Sequence, residues 1–153
     1  MARHALKRVL PYTPEQLFDL VGDVEAYPDF VPWITLMRVA NRRTEGEGVS
    51  VLDAVAGVGF SFLNERFATR VKRNRPDLQI DVSLLNGPFK RLQNRWTFRS
   101  HPQGAEIDFL IDFEFKSKIL DMMLHANFDR AVAKLITCFE ARAKALYGDA
   151  PPA

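Results

Sequence analysis

The 153-residue chain carries a net charge of +2 and is 47% hydrophobic and 26% charged, which is typical of one globular domain. No apolar run approaches the roughly 20 residues that span a bilayer, the N-terminus lacks a signal-peptide block, and the small charge predicts no DNA partner. A single cysteine excludes an internal disulfide. We therefore expect a soluble cytoplasmic protein, with one domain over residues 1–148 and a disordered tail over residues 149–153.

The first 26 residues predict an edge strand and two short helices. Ala5–Leu10 has the pattern of an edge strand. Thr13 is a suitable N-cap, Pro14 suits the first helical position, and Gln16 stands at the capping-box position, so a helix is expected to begin there. A second short helix is expected to run through Ala26.

The segment Tyr27–Trp33 packs three large aromatic residues around two prolines. Each proline fixes its own φ and disfavours a helical residue before it, so Tyr27 and Val31 are expected to be extended. Phe30 and Trp33 would then point in fixed directions, as suits the lip of an apolar cavity. The alternative is that these aromatic residues only plug the end of a sheet.

From Ile34 to Phe115 the chain has the pattern of an antiparallel meander. The predicted strands are Ile34–Asn41, Val49–Val55, Phe60–Arg73, Leu78–Leu84, Lys90–Arg99 and Ala105–Phe115. The turn signals between them are Glu45–Gly48, Gly57–Gly59, Arg75–Asp77, Asn86–Pro88 and His101–Gly104. The last strand alternates apolar and acidic residues, so one face of the sheet is expected to be dry and the other wet.

A long C-terminal helix is predicted from Ser117, a suitable N-cap, to near Tyr147, with Gly148 just beyond its end. Its apolar residues fall near three- and four-residue spacing: Leu124, Phe128, Ala131, Val132, Leu135, Phe139 and Leu146. This stripe needs the dry face of the sheet as its partner. The predicted fold is therefore α+β, with a curved antiparallel sheet of six to seven strands around one long C-terminal helix and two short N-terminal helices.

No catalytic or metal-binding constellation is evident. The histidines His4, His101 and His125 do not share a metal-ligand spacing, so no metal or cofactor is predicted. Cys138 lies near the apolar stripe and is expected to be a small buried hydrophobic residue. An enzyme using the same cavity would need an acid–base pair, for which Asp53 with His125 is the one thin candidate.

Two polar residues interrupt apolar strand faces. Asn94 shares a face with Leu92, Trp96 and Phe98, where its amide would bond either to a cavity ligand with carbonyl oxygens or to neighbouring protein groups. Protein partners are favoured, because buried amides generally find them. Asp53 is expected to pair with an arginine across the sheet.

The segment Ala56–Phe62 is predicted to be a hairpin tip, and it contains no charged residue. Because turns are usually polar, Val58, Phe60 and Phe62 would either dip into a membrane surface or gate a cavity. The alternative is that the tip folds back onto the domain.

Basic residues follow two strands on the predicted outer face. They are Arg66, Arg70 and Lys72 on one strand and Arg91, Arg95 and Arg99 on another. Such a stripe would favour anionic lipid headgroups or RNA phosphates. The alternative is an ordinary solvated charged face.

The segment Tyr27–Trp33, the turn Gly87–Lys90 followed by Leu92, Trp96 and Phe98, and the final strand before the helix resemble a known family. The family is the coenzyme-Q-binding proteins of bacteria and mitochondria, within the START-like, polyketide-cyclase superfamily. The resemblance covers almost the whole chain. It implies a helix-grip fold and a hydrophobic tunnel that binds ubiquinone or a related polyprenyl lipid and supports respiratory electron transfer.

The resemblance implies a carrier rather than an enzyme, with ubiquinone as its ligand and no other cofactor. The predicted tunnel residues are Phe30, Trp33, Phe89, Asn94, Trp96, Leu124, Phe128, Leu135 and Phe139. The implied partners are respiratory complexes and the inner face of the cytoplasmic membrane. Bacterial members also carry the name of a toxin that associates with ribosomes, which would give the basic stripe a second meaning. A polyketide cyclase is a further alternative.

Overall fold

The computed structural model describes residues 3–60 and 63–148, apart from the side chains of Phe60 and Leu63. The strands are β1 (Arg3–Leu10), β2 (Ile34–Gly46), β3 (Val49–Phe60), β4 (Leu63–Asn74), β5 (Gln79–Asn86), β6 (Phe89–His101) and β7 (Gly104–Phe115). The helices are α1 (Pro14–Gly22), α2 (Tyr27–Phe30), α3 (Lys118–Ala126) and α4 (Phe128–Tyr147), with a 3₁₀ turn at Val24–Ala26.

The strands form one antiparallel sheet in the order β1-β7-β6-β5-β4-β3-β2. All neighbours from β2 to β7 are joined directly along the chain, and β1 closes the far edge by pairing with β7. Helices cover one face of this sheet, so the predicted helix-grip fold is confirmed. The end of β3, the start of β4 and the β5–β6 connection lie at one end of the sheet, which we call the α3 end, and the β2–β3, β4–β5 and β6–β7 turns lie at the opposite end.

Helix α1 begins as its sequence predicts. The Thr13 side chain accepts a hydrogen bond from Gln16 N, the Gln16 side chain accepts one from Thr13 N, and Pro14 occupies the first turn. The far end of the helix is tied to the sheet by Arg73, which donates to Gly22 O at 3.0 Å and to Ser50 Oγ at 3.1 Å. These bonds fix α1 across one end of the sheet.

The expected extended conformation is correct for Val31 and wrong for Tyr27. Val31 has φ −114° and ψ 101°, whereas Tyr27 is helical at φ −52° and ψ −42° and opens α2. Pro28 is tolerated there because the first turn of a helix needs no donor from its N–H. The helical turn directs Tyr27 and Phe30 toward α4, where both rings contact Phe139 at a centroid distance of 5.4 Å.

The predicted turn at Gly57–Gly59 is also wrong, because β3 continues through it to Phe60. Gly57 pairs with Arg66 on β4 and with Leu36 on β2, next to a register shift in β2. A Cβ atom on Gly57 would lie 3.0 Å from the Leu36 Cβ. The glycine thus permits close approach of the bulged neighbouring strand rather than a chain reversal.

The single C-terminal helix that the sequence predicts is divided in two. Ser117 caps the first part, accepting a hydrogen bond from Leu120 N, as predicted. At Asn127 the backbone leaves helical geometry, with φ −110° and ψ 12°, and its side chain donates to Met123 O at 2.7 Å. Local side-chain bonding of this kind competes with helix continuation. The predicted tail at residues 149–153 lies outside the described residues.

The apolar interior contains two clusters. The main cluster joins α1 and α4 to the middle of the sheet and includes the fully buried Leu17, Ile107 and Ile136. The second cluster lies at the α3 end and centres on Phe89, Phe113 and Phe115. None of the helices that the structure describes is long and apolar enough to cross a membrane.

Candidate functional site

A cavity of about 230 Å³ lies between the sheet and α4. Its wall is formed by Val21, Val24, Tyr27, Ile34, Met37, Ala54, Ala56, Phe67, Thr69, Val71, Ile80, Val82, Leu92, Asn94, Trp96, Phe109, Ile111, Leu135 and Phe139. Almost all of these side chains are apolar, because alternate residues of β3 to β7 point to the same face. The cavity is suited to an apolar ligand held mainly by contact area.

Two polar side chains, Thr69 and Asn94, are buried in this wall with relative exposures of 5% and 9%. Asn94 Nδ2 donates to Leu110 O at 2.9 Å, and Asn94 Oδ1 accepts from Trp96 Nε1 at 2.8 Å. The amide therefore has protein partners, as expected, and it orients the indole of Trp96. The Thr69 hydroxyl makes no hydrogen bond to any residue that the structure describes.

Tyr27 brings a third polar group to the wall. Its hydroxyl donates to Val21 O. Burial, with a further contribution from Asp23, raises the pKa of Tyr27 far above its usual range, so the phenol stays neutral. Since this donor is already used, Thr69 is the polar group in the wall whose hydroxyl is left for a ligand.

Four of the nine predicted tunnel residues lie in the cavity wall: Asn94, Trp96, Leu135 and Phe139. Phe30 packs behind the wall on Phe139 and Tyr27. Trp33 lies at the start of β2, where its carbonyl accepts a hydrogen bond from Gly59 N at 2.8 Å. The remaining three, Phe89, Leu124 and Phe128, belong to the second cluster.

The second cluster continues the cavity toward the α3 end. Phe67, Leu92 and Ile111 belong to both the cavity wall and this cluster. Leu120 and Leu124 of α3 pack on the cluster from outside. Helix α3 therefore covers one end of the apolar interior.

A histidine pair joins α3 to the edge strand β1. His4 Nε2 lies 2.8 Å from His125 Nδ1, and the two rings are sandwiched between Phe128 and Phe113. His125 Nε2 is 3.2 Å from Asp121 Oδ1 but makes no hydrogen bond with it. Burial and the neighbouring His125 hold the pKa of His4 below its usual value, while Asp129 acts in the opposite direction.

The candidate acid–base pair of Asp53 and His125 is not assembled. Asp53 accepts hydrogen bonds from Arg70 at 3.0 Å and from Asn41 at 2.9 Å, which lower the pKa of its carboxyl. The predicted arginine partner across the sheet is thus confirmed. His125 instead contacts His4 and Asp121, in a separate part of the molecule.

Cys138 is half-buried on α4 rather than fully buried. Burial raises the pKa of its thiol, which disfavours the reactive thiolate. Within residues 3–60 and 63–148, no group of three or more His, Cys, Asp or Glu side chains could hold a metal ion.

The predicted basic stripe is largely matched by acidic neighbours. Ion pairs join Arg70 to Asp53, Lys72 to Glu45, Arg91 to Asp112 and Glu114, Arg95 to Asp81, and Arg99 to Asp108. Of the six predicted residues, Arg66 is the one without an ion-pair partner in the described part of the chain. Paired charges of both signs give a solvated face with little net attraction for phosphates.

Of the predicted gate residues, Val58 is half-buried and packs against the second cluster. Phe60 ends β3, with its side chain outside the described part of the structure, and Phe62 lies outside the described residues altogether. The gate therefore stays a prediction, with Val58 folded toward the domain.

Thr69 and its apolar neighbours on the inner face of β4 were not among the predicted site residues. The alternation of residues along β4 nevertheless indicates their position. With Arg66, Arg70 and Lys72 expected on the outer face, the strand alternation directs Phe67, Thr69 and Val71 inward.

Most of the sequence matches a described protein family. Residues 10–140 match the family of polyketide cyclases/dehydrases and lipid transport proteins. The chain belongs to this family. The resemblance to coenzyme-Q-binding proteins of the same superfamily is consistent with this membership.

Relatives in the family carry two kinds of name. The ribosome association toxin RatA of Rickettsia prowazekii is 36% identical over 140 residues, which cover 90% of this chain and 92% of that protein. The mitochondrial coenzyme Q-binding protein COQ10 homolog B of Xenopus laevis is 30% identical over 146 residues, covering 92% of this chain and 57% of that protein. The solution structure of the 18 kDa protein CC1736 from Caulobacter crescentus is 61% identical, with a TM-score of 0.84 and coverage of 97% and 99%.

Proposed function

We propose that the cavity binds ubiquinone or a related polyprenyl lipid without chemical change, and that the protein is a quinone carrier supporting respiratory electron transport. The observation that carries the proposal is an apolar cavity between the sheet and α4 with one uncommitted hydroxyl, that of Thr69. A benzoquinone ring has apolar faces and carbonyl oxygens that accept hydrogen bonds. The family description names lipid transport, and the Xenopus relative is named for coenzyme Q binding.

Contact area supplies most of the affinity in this proposal. Burying about 300 Å² of quinone and prenyl surface contributes about 7 kcal/mol before the costs of association. A hydrogen bond from Thr69 to a quinone carbonyl adds about 1 kcal/mol, the usual net contribution of such a bond. Trp96, held by Asn94, presents an aromatic surface against which a flat ring can stack.

The cavity volume limits how much of the ligand is enclosed. About 230 Å³ is below the roughly 300–1,000 Å³ of pockets that bury a drug-sized molecule. We infer that the ring and the first prenyl unit occupy the cavity and that the rest of the tail leaves through the second cluster, beneath α3. This route follows the apolar residues shared by the two regions, Phe67, Leu92 and Ile111.

A carrier fits the chemistry of the site better than an enzyme does. General acid–base catalysis needs a titratable group within hydrogen-bond reach of the reacting atoms. The polar residues of the cavity wall are Thr69, Asn94 and Tyr27, and none of them titrates near neutral pH.

Tryptophan fluorescence provides a direct test of binding. The chain has two tryptophans, and of these Trp96 lies in the cavity wall. In a Trp33→Phe variant, a short-chain ubiquinone should quench the emission of Trp96 in a saturable way. In the matched Trp96→Phe variant, the same titration should leave the emission of Trp33 largely unquenched. Equal quenching of both tryptophans would contradict ring binding in the cavity.

Ribosome association is a second candidate function, favoured by the name of the Rickettsia relative and the 92% of its length that the match covers. In this reading the basic stripe would contact RNA phosphates. Because Arg91, Arg95 and Arg99 are paired with acidic residues, this face would attract RNA phosphates less strongly.

A further inference from the structure

Helix α3 has apolar residues on two of its faces. Leu120 and Leu124 face inward onto the second cluster. Ile119, Met122 and Met123 face outward, with relative exposures of 70%, 66% and 37%. Positions 119, 122 and 123 follow the three- and four-residue spacing of a single helix face. Because these three side chains are exposed, the outward face of α3 is not covered by any other residue that the structure describes.

Basic residues border this outward face. Lys118 opens the helix and Lys116 precedes it, and both are exposed. Neither has an ion-pair partner in the described part of the chain, in contrast to the arginines of the outer sheet face. The backbone N–H of Lys116 donates to Pro88 O at 2.9 Å, which places Lys116 beside the β5–β6 turn at the α3 end.

We propose that the outward face of α3, formed by Lys116, Lys118, Ile119, Met122 and Met123, docks on the surface of a bilayer that contains anionic lipids. Apolar side chains of an interfacial helix enter the boundary between headgroups and acyl chains, and flanking lysines contact anionic headgroups. Unpaired lysines beside exposed apolar residues match this chemistry, whereas a protein partner or a second copy would need an acidic, shaped surface that this helix face does not specify.

Docking at this position has a structural consequence for the cavity. The inward face of the same helix covers the second cluster, and the helix ends immediately before Asn127. A bilayer that holds α3 by its outer face therefore lies directly over one end of the apolar interior. This consequence rests on the proposed lipid function, whereas the docking itself does not.

Vesicle flotation with ligand-free lipids tests the docking separately from the cavity. The wild-type protein should float with vesicles of equal parts phosphatidylcholine and phosphatidylglycerol, and less with phosphatidylcholine alone. Joint replacement Ile119→Ser and Met122→Ser should lower the partition coefficient about tenfold or more. Lys118→Glu should lower it severalfold on the anionic vesicles, with little change on the neutral ones.

Two control variants test whether loss of an exposed apolar side chain or reversal of an exposed charge elsewhere on the protein would by itself reduce flotation. Leu146→Ser removes an apolar side chain that is 51% exposed at the far end of α4, and Arg38→Glu reverses an exposed charge on β2. Both should float like the wild type, and all variants should keep the wild-type circular dichroism spectrum.

Three results would overturn the proposal. These are absence of wild-type protein from the floating fraction, flotation that the double serine variant retains, and a concentration-dependent dimer that the same variant abolishes. The last result would assign this helix face to a second copy of the chain. Because the vesicles contain no quinone, failure of docking leaves the cavity proposal standing, and failure of quinone binding leaves docking standing.

Discussion

His4 Nε2 and His125 Nδ1 are 2.8 Å apart, although the two residues are separated by 121 positions in the sequence. Their contact fastens α3 to the edge strand β1, and each ring stacks on a phenylalanine of the second cluster region. At most one of two nitrogens at this distance carries a proton when the pair is uncharged. Protonation of both rings would place two positive charges within the same aromatic surroundings.

The histidine pair makes stability dependent on pH. The pKa of His4 in the folded protein lies below its ordinary value of 6.5, so the unfolded chain binds more protons than the folded one around and below that pH. The stability contribution is complete above pH 6.5 and is lost as the pH falls toward the folded pKa. We expect the free energy of unfolding, measured by urea denaturation, to decrease from pH 7.5 to pH 5, by an amount that His4→Gln reduces.

His101→Gln is the matched control for this experiment. His101 lies in the β6–β7 turn, where its Nδ1 accepts from Gln103 N. The control should keep the wild-type pH dependence. If His4→Gln and the wild type lose stability equally on acidification, the pair is not responsible for the effect.

Removing the amide of Asn94 should destabilise the protein. Asn94→Leu leaves Trp96 Nε1 and Leu110 O without their partners in a buried setting, at a cost of about 2–4 kcal/mol in the free energy of unfolding. Gln93→Leu, on the exposed side of the same strand, should change the free energy of unfolding by less than about 0.5 kcal/mol. Adding Trp96→Phe to the Asn94 variant should recover part of the loss, since the stranded indole donor is then gone. Purely additive effects in this double-mutant cycle would contradict the bond.

Thr69→Val should separate ligand binding from stability. The Thr69 side chain is 5% exposed and its hydroxyl makes no hydrogen bond within the described residues, so its removal should leave the ligand-free protein about as stable as the wild type. If the hydroxyl donates to a quinone carbonyl, the Kd for a short-chain ubiquinone should rise about 2- to 10-fold. Thr97→Val, on the opposite face of the sheet, is the control and should leave the Kd unchanged. An unaltered Kd in the Thr69 variant would remove this residue from the ligand site.

The outer sheet face provides the test between carrier and ribosome factor. We expect replacement of Arg91, Arg95 and Arg99 by glutamine to leave quinone binding intact, because all three point away from the cavity. Cosedimentation with ribosomal subunits at several salt concentrations measures the alternative. Association that weakens steeply with salt and disappears in the triple variant would support a ribosome-binding role for this face.

Local signals in the sequence predict much of the fold. The capping box of Thr13 and Gln16, the Ser117 cap and the strand alternation before Phe115 depend on near neighbours in the chain, and each appears in the structure as predicted. The errors arise where a segment that is distant in the sequence determines the local conformation. Gly57 permits close approach of β2, which a local pattern cannot distinguish from a turn.

The candidate site was predicted less completely than the fold. Trp96, Asn94, Leu135 and Phe139 follow from inward-facing strand and helix positions. The apolar interior is divided into a cavity and a second cluster, and α3, which ends before Asn127, packs on the second cluster through Leu120 and Leu124. Helix periodicity continues across Asn127, so the sequence pattern gives no indication of the helix end there.

The most direct test of the central claim is mass spectrometry of organic extracts from purified protein, comparing the wild type with Ala54→Leu. Ala54 is buried in the cavity wall beside Thr69, so a larger side chain occupies ligand space with little change elsewhere. Ala133→Leu makes the same change on an exposed part of α4 and serves as the control. We predict ubiquinone or a related prenyl lipid in extracts of the wild type and the control, and its loss from the folded Ala54 variant. Absence of lipid from all three, with no binding of added quinone, would contradict the carrier function.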